Sequence, residues 1–530
     1  MEHGGVTVSR SPRAASPDLI PRGVSVSINQ PEVLAKKPHT GVSRTLFSGL
    51  IGSALILFGS FGVGWLASVS PLNQDRFFIM MRTEAAGVLT SVVLLTLGCW
   101  VLVRSWWRLG QKLAGWPQGS LKTIRRAVYL WSAPLLISIP IMSRDVFAYI
   151  GQGRLVMAGQ DPYSDGISSV SNWFQLGTDT MWAEDGTPYG PLFLVIEYLV
   201  VAAVGFSTDL SILAFRLIAF SGVLLCLYYV PKLARLHSVD PAKATWVTVA
   251  NPLFLLNFVA SAHNDSLMVG LSVMAVYLAC QRKGVLAVIV LTASIGIKPI
   301  TLVLLPFIGL LWAGKDASWP RRILYWFYSG MILLLLMTLF GYLNGYWFGW
   351  LKVMLFTGTG YSIFSPLGIA VMLLTGAVSA FGLSTDWILP ALKLFGRLAG
   401  VALAMIVIFR GKYSHLVQRL AIGFSAIVVL SPVIHPWYLL WLLPFFAVTG
   451  IRDDWQMLWV HVTVLFFVAY QAADQLFIWQ FLQEDLVPLA SMLSWAISLA
   501  AIAYLVFLDR HTRSVLPQLL KKTPWPGKRN

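Results

Sequence analysis

Apolar runs, several of them reaching the roughly 20 residues needed to cross a bilayer as a helix, recur along almost the whole of this 530-residue chain. They lie near 46–69, 84–103, 125–142, 190–206, 211–230, 244–261, 266–280, 284–297, 299–314 and 322–342, and again near 365–382, 388–409, 415–433, 437–450, 455–472 and 488–508. A backbone inside hydrocarbon must satisfy its own polar groups. The reading is therefore an all-α polytopic membrane protein. Apolar residues make up 57% of the chain and charged residues 12%, against roughly 25% charged in a soluble domain. That balance excludes an ordinary soluble enzyme and a disordered chain. The formal net charge of +16 reads as basic residues gathered on cytoplasmic loops rather than as a nucleic-acid surface.

Charge also orients the segments. Arg10, Arg13, Arg22, Lys36 and Lys37 place a polar, disordered tail, residues 1–43, in the cytoplasm. Arg510, Arg513, Lys521, Lys522, Lys528 and Arg529 do the same for a basic tail, residues 511–530. Between them lies one membrane domain, residues 44–510. Strict alternation conflicts with the basic loop 231–243 and with the region around 343–388. Treating 190–206 and one segment of 343–382 as incomplete crossings leaves roughly 14 spans. The aromatic stretch Tyr346–Trp350 reads as interfacial.

The largest polar interruption is residues 143–189, acidic and rich in aromatics and glycine, which puts it outside. A loop of this length is usually functional. Val146–Met157 within it reads as an amphipathic helix lying on the membrane surface. The three cysteines, Cys99, Cys226 and Cys280, all sit in apolar runs and support neither a disulfide framework nor a zinc site.

Ionisable residues at membrane depth are costly and so are functional suspects. Four breaks between apolar runs carry them: Ser143-Arg144-Asp145, Ser261-Ala262-His263-Asn264-Asp265, Lys298-Pro299, and Ser431 to Tyr438 with His435 and Trp437. Basic residues at the far ends of the adjoining runs place Asp145, Asp265, Lys298 and His435 on one face, the outer one. Each has a bland explanation as well: a helix cap for Asp145 and Asp265, snorkelling for Lys298, a hydrated helix end for His435. His415 and His461 read as structural. For a lipid-linked sugar phosphate in an outer cavity, Lys298, Arg144, His263 and His435 are candidate phosphate contacts. One carboxylate, Asp145, suffices as general base for a single displacement with inversion, while Asp161 and Asp265 orient the acceptor or hold the base.

Arg144-Asp145, Tyr149, Gln160-Asp161-Pro162-Tyr163 and Thr187-Pro188-Tyr189-Gly190-Pro191-Leu192 together resemble the first outer loop of GT-C-type glycosyltransferases. With Asn251-Pro252, Ser261-Ala262-His263-Asn264-Asp265-Ser266, Lys298-Pro299 and His435-Pro436-Trp437-Tyr438, residues 45 to 510 resemble the actinobacterial polyprenol-phosphomannose-dependent α-1,6-mannosyltransferases. The resemblance implies a GT-C-type fold in the plasma membrane and an outer-face active site. It also implies polyprenyl-phosphate-mannose as donor, a mannan or phosphatidylinositol-mannoside-type acceptor, and a product in lipomannan and lipoarabinomannan assembly. Asp145 is the implied catalytic residue. Arg144, Tyr149, Asp161, Tyr163, Tyr189, His263, Asn264, Asp265, Lys298, His435 and Trp437 are the expected substrate contacts. No cofactor is expected, and the loop lacks the Asp-Asp pair of a divalent-metal site. The competing readings are a lipid-linked sugar flippase or transporter, and a GT-C enzyme with another sugar or a protein acceptor.

Overall fold

The computed structural model describes residues 41–356, 360–474 and 486–522. Nearly all of the expected N-terminal tail and the last residues of the C-terminal tail lie outside this range. The described residues form helices joined by turns, with no strand among them. Among the described residues seven helices are long and apolar enough to cross a membrane: Val42–Val63, Ala85–Lys112, Thr208–Leu236, Trp319–Asn344, Ile388–Phe409, Trp455–Asp474 and Leu486–Ala503, the last prolonged by a wide turn to Leu508. Seven shorter apolar helices accompany them: Pro191–Val204, Asp265–Cys280, Gly284–Ile297, Pro299–Ala313, Pro366–Ser379, Tyr413–Val429 and Pro436–Thr449. The protein is thus a multi-pass membrane protein. Trp319–Asn344 exposes Phe327, Leu335 and Leu343 by 60% or more, a surface that only lipid can cover.

Ala85–Lys112 is the most enclosed of the long helices. It packs on Val42–Val63 where Gly52 and Gly98 face each other. A Cβ on Gly98 would sit 2.6 Å from the Gly52 carbonyl oxygen, so the close approach needs the small residues that membrane helix pairs favour.

The third expected span, 125–142, does not form as one continuous helix. Its helix, Ser120–Leu136, carries Lys122, Arg125 and Arg126 and stops at Leu136. Pro134 lies inside its last turn, and Pro140 biases the residue before it toward extended backbone. Ile137 to Ser143 therefore runs on as buried, irregular chain, which membrane depth tolerates only within protein. The segment is satisfied from several sides. Trp65 N–H donates to the Pro140 carbonyl (2.8 Å), and Ile139 N–H to Ser60 Oγ (3.0 Å). The buried guanidinium of Arg216 donates to the carbonyls of Leu136 (3.1 Å) and Ser138 (2.6 Å).

Val146–Met157 is helical as expected, in a helix spanning Asp145–Met157, but it is not on the surface. Nine of its 13 residues are buried. Gly153 is the reason: a Cβ there would meet the Glu197 carbonyl oxygen at 2.7 Å and Val201 Cγ2 at 2.6 Å. The helix thereby lies flat against Pro191–Val204. The aromatic stretch after Asn344 also departs from the expected interfacial role. Trp350 is buried, Gly349 abuts the Tyr163 ring, and Tyr346 Oη donates to the Gln160 carbonyl.

The short helices fix the polarity of the bundle. Asp265–Cys280 descends from Asp265 to Arg282, a rise of about 24 Å. Gly284–Ile297 returns to Lys298, and Pro299–Ala313 descends again to Gly314, beside the Arg282 guanidinium. Leu416–Val429 rises toward His435, and Leu439–Thr449 descends to Gly450. At the lower end, Lys243 pairs with Asp453 (2.8 Å), Arg104 with Asp509 (2.8 Å), and Trp106 stacks on Trp246. The basic loops therefore gather at one end of the bundle, and the polar breaks at the other.

Candidate active site

Asp145, Lys298 and His435 line one cleft, together with Ala148, Gln152, Trp182, Asp185, Gly186, Pro188, Tyr189, Trp437 and Tyr438. The cleft, open to solvent on one side, has about 570 Å³ of empty space. Asp265, the fourth residue expected on this face, sits just behind the wall. The convergence deduced from basic loops is thus present in three dimensions.

Two bent segments bring the chemistry together. Met142 has φ +65° and Ala262 has φ +58°, a left-handed conformation uncommon outside glycine. Each such residue costs about 1–3 kcal/mol and persists only where its surroundings over-determine it. Here they do. Arg216 donates to Leu136 and Ser138 ahead of Met142, and to Ala260 (2.8 Å) ahead of Ala262. Ser261 Oγ donates to the Ile141 carbonyl (2.8 Å), and Asn264 N–H to Tyr149 Oη (3.2 Å). The wide helical turn Leu256–Ala260, a feature frequent near functional sites, delivers the second segment.

These ties set Asp145 Oδ2 3.2 Å from His263 Nδ1. The N–H is not aimed in line at the oxygen, as is common in unliganded sites. His263 Nδ1 also lies 4.0 Å from Asp265 Oδ2. Asp265 Oδ1 accepts from Lys298 Nζ at 2.8 Å. The result is a row of alternating groups: Asp145, His263, Asp265, Lys298. Lys298 is caged by Trp441, Tyr438 and Tyr189, with its Nζ 5.1–5.6 Å from their ring centroids, within cation–π range. Burial alone would push the Asp145 carboxyl upward, but His263, Lys298 and His435 together hold it below the usual carboxylate range. Burial lowers His435 to about 4, so its ring is uncharged at neutral pH.

Other expected contacts fall elsewhere. Arg144 does not face the cleft. It donates to the carbonyls of Gly177 and Thr178, pairs with Asp179 (3.2 Å), and stacks on Trp65 at 3.4 Å. It latches the outer loop down. Asp161 caps its own turn, accepting from Tyr163 N–H (2.9 Å), and Tyr163 packs edge-on against Tyr346. Neither lines the cleft. His263 is fully buried, as is Asp265, so neither lines the cleft. Tyr149 is buried beneath Asp145 and Tyr189. Both amide atoms of Asn264 are buried without a partner among the described residues. Trp437 lines the cleft, but its ring stacks on His263 (4.0 Å) and on His435 (4.5 Å), which leaves its edge for a ligand. His461 is structural, its Nδ1 on the Met457 carbonyl among three tryptophans.

Gln152, Trp182, Asp185 and Tyr438 line the cleft without having been singled out as contacts. Tyr438 stands inside a motif already noted and Asp185 in the acidic outer loop 143–189, whereas Gln152 and Trp182 carry no sequence signal. Among the described residues no group of three His, Cys, Asp or Glu side chains gathers as a metal site. A second, apolar cavity adjoins the cleft and shares Pro188, Lys298 and Tyr438 with it. It continues past Ile300, Val353, Ile427 and Val428 to Met354, which is 38% exposed.

A cleft holding a carboxylate and a cation lies at one end of the apolar helical bundle of a membrane protein, beside a second cavity lined mostly by apolar residues. Comparison with known proteins makes this specific. Residues 46–314 match the family model described as alpha-(1->6)-mannopyranosyltransferase, N-terminal domain, and residues 364–504 match an MptB C-terminal domain. The chain belongs to the alpha-(1->6)-mannopyranosyltransferase family, and with it to the glycosyltransferases. It is 32% identical over 276 residues to alpha-(1->6)-mannopyranosyltransferase A of Mycobacterium tuberculosis, an alignment covering 52% of each chain. It is 28% identical over 462 residues to a probable alpha-(1->6)-mannopyranosyltransferase of Mycolicibacterium smegmatis, covering 80% of this chain and 82% of that one. Against alpha-(1->6)-mannopyranosyltransferase B of Corynebacterium glutamicum it is 26% identical, covering 74% and 71%. The chain thus spans about half the length of the first relative and about four-fifths of the second.

Proposed function

We propose that this protein transfers mannose from polyprenyl-phosphate-mannose to a mannan acceptor, forming α-1,6 links in lipomannan and lipoarabinomannan assembly, with Asp145 as general base. The observation that carries the reading is the placement of the Asp145 carboxylate in the same cleft as Lys298, at the mouth of the apolar annex. The annex suits a prenyl chain, and Lys298, beside it, suits the phosphate that joins chain to sugar. The positive-inside rule puts the basic loops in the cytoplasm, hence both termini inside and the cleft on the outer face. The overall arrangement is read as GT-C-type, with roughly 14 membrane segments.

The step is a single displacement. The acceptor's primary hydroxyl oxygen attacks C1 of the β-linked mannose from the face opposite the phosphate. Its proton passes to Asp145, the new C1–O bond forms in the α configuration, and the old C1–O bond breaks. Polyprenyl phosphate leaves with its charge met by Lys298. Asp145 is suited to accept the proton because its surroundings keep it ionised. The uncharged His435 lines the same cleft.

The test is Asp145→Asn, which keeps shape and removes basicity. Transfer of radiolabelled mannose in membranes should fall by about 10²–10⁴-fold at unchanged protein level. Activity close to that of the unaltered protein would remove Asp145 as the base.

A further inference from the structure

We propose that His263 is a positioning residue for the Asp145 base, donating from Nδ1 to Oδ2 so that the other carboxylate oxygen is presented to the acceptor hydroxyl. The inference rests on the transfer reading above and adds to it a specific partner for the base. His263 is fully buried, so it cannot reach a sugar or a phosphate. One ring face is committed to Trp437, 4.0 Å away and tilted by 26°. Its Nδ1 lies between two carboxylate oxygens, Asp145 Oδ2 at 3.2 Å and Asp265 Oδ2 at 4.0 Å. Both neighbours are acceptors, which assigns the proton to Nδ1. The Asp265 carboxylate is already held by Lys298, so the N–H serves Asp145, the nearer of the two. The backbone on either side is pinned: Arg216 holds Ala260, Ser261 holds Ile141, and Asn264 N–H donates to Tyr149 Oη. A ring stacked on one face and pinned on both flanks can hold a carboxylate to the few tenths of an ångström that catalysis needs.

Other groups also bear on Asp145. Lys298 and His435 face it from the cleft wall, Tyr149 from its own helix, Tyr189 from the loop's end, and Asp265 and Tyr438 from behind and beside Lys298. Asp185 lines the same cleft. Among the donors, His263 makes the side-chain contact that lowers Asp145 most. Removing it therefore leaves Asp145 easier to protonate, and the acid limb of the rate profile moves to higher pH.

Three variants of the full-length protein in membranes separate positioning from packing. His263→Phe keeps an aromatic ring on Trp437 and loses the donor. His263→Asn keeps a donor near the Nδ1 position and loses the ring. His263→Gln places its amide near the Nε2 position. Mannose transfer is measured across pH, with kcat and the donor KM resolved and protein level checked. His263→Phe and His263→Gln should lose about 10–100-fold in kcat, with the donor KM changed less than about 3-fold and, in His263→Phe, the acid limb shifted upward. His263→Asn should recover at least half of that loss on a logarithmic scale and return the limb. If His263→Phe retains full kcat and an unshifted limb, the proposal is overturned. It is equally overturned if all three lose alike with no shift, which would make the ring a packing element; should His263→Phe not accumulate, His263→Gln against His263→Asn decides alone. An active Asp145→Asn would instead sink the base assignment, whereas an inactive Asp145→Asn beside a fully active His263→Phe sinks this inference alone.

Discussion

Breaking the Lys298–Asp265 pair should cost stability in a way that removing both partners does not. The two charges are 2.8 Å apart, with the Asp265 side chain fully buried and that of Lys298 12% exposed. At an effective dielectric constant near 20 their gross attraction is about 6 kcal/mol. Much of that repays desolvation, so the net value of the pair is small, while stranding one partner costs about 3–5 kcal/mol. Asp265→Leu leaves an ammonium beside Trp441 and Tyr438, and it must either stay charged at that cost or shed its proton. Lys298→Met strands a carboxylate with no water to reach. In the double variant neither charge remains. A double-mutant cycle measured by SDS titration in mixed micelles should give a coupling of at least about 2 kcal/mol. Mannose transfer gives the second readout: on the role proposed for Lys298, the double variant should regain stability but stay inactive. A coupling below about 0.5 kcal/mol would refute the reasoning, since it would mean that the two groups are solvated separately. So would a double variant that transfers mannose normally.

Two further outcomes are expected. Arg216→Leu should destabilise the protein by about 3–5 kcal/mol and abolish transfer, because three carbonyls on both segments of the site lose their donor together; a variant of normal stability and activity would show that these carbonyls find other donors. His435→Gln should flatten the pH dependence of stability. In the folded protein burial holds His435 near 4, below its ordinary 6.5, so the unfolded chain takes up the proton first. The unaltered protein should then lose stability as pH falls from about 6.5 toward 4, and a pH series of thermal midpoints in detergent that is identical for the two proteins would count against this.

The gathering of Asp145, Lys298 and His435 was legible because apolar runs report their own ends and basic loops report their side. Both signals are additive along the sequence and need no knowledge of packing. The residues that set the geometry were not legible for the same reason. Arg216 sits in the middle of a 29-residue apolar helix, and only the unwound chain beside it, created by Pro134 and Pro140, explains a buried guanidinium there. Arg144 read as a phosphate ligand because an arginine beside a candidate catalytic carboxylate suggests an anion. Its true partners, Gly177 to Asp179, lie more than 30 residues on, and no spacing rule connects them. The Asp145–Met157 helix read as a surface element because its polar residues were counted as a face; Gly151 and Gly153, which let it sink between neighbours, look like loop residues until the neighbours are known. Asp161 and Tyr163 were drawn in by their motif, which turns out to shape the loop that roofs the cleft.

The apolar annex has a consequence for enzymology. A lipid that reaches its site sideways, past Met354 and Ile427, arrives at a density set by membrane area and not by bulk volume. Its saturation should therefore track mole fraction in the bilayer or micelle. Diluting such an assay with extra detergent would mimic competitive inhibition although nothing competes.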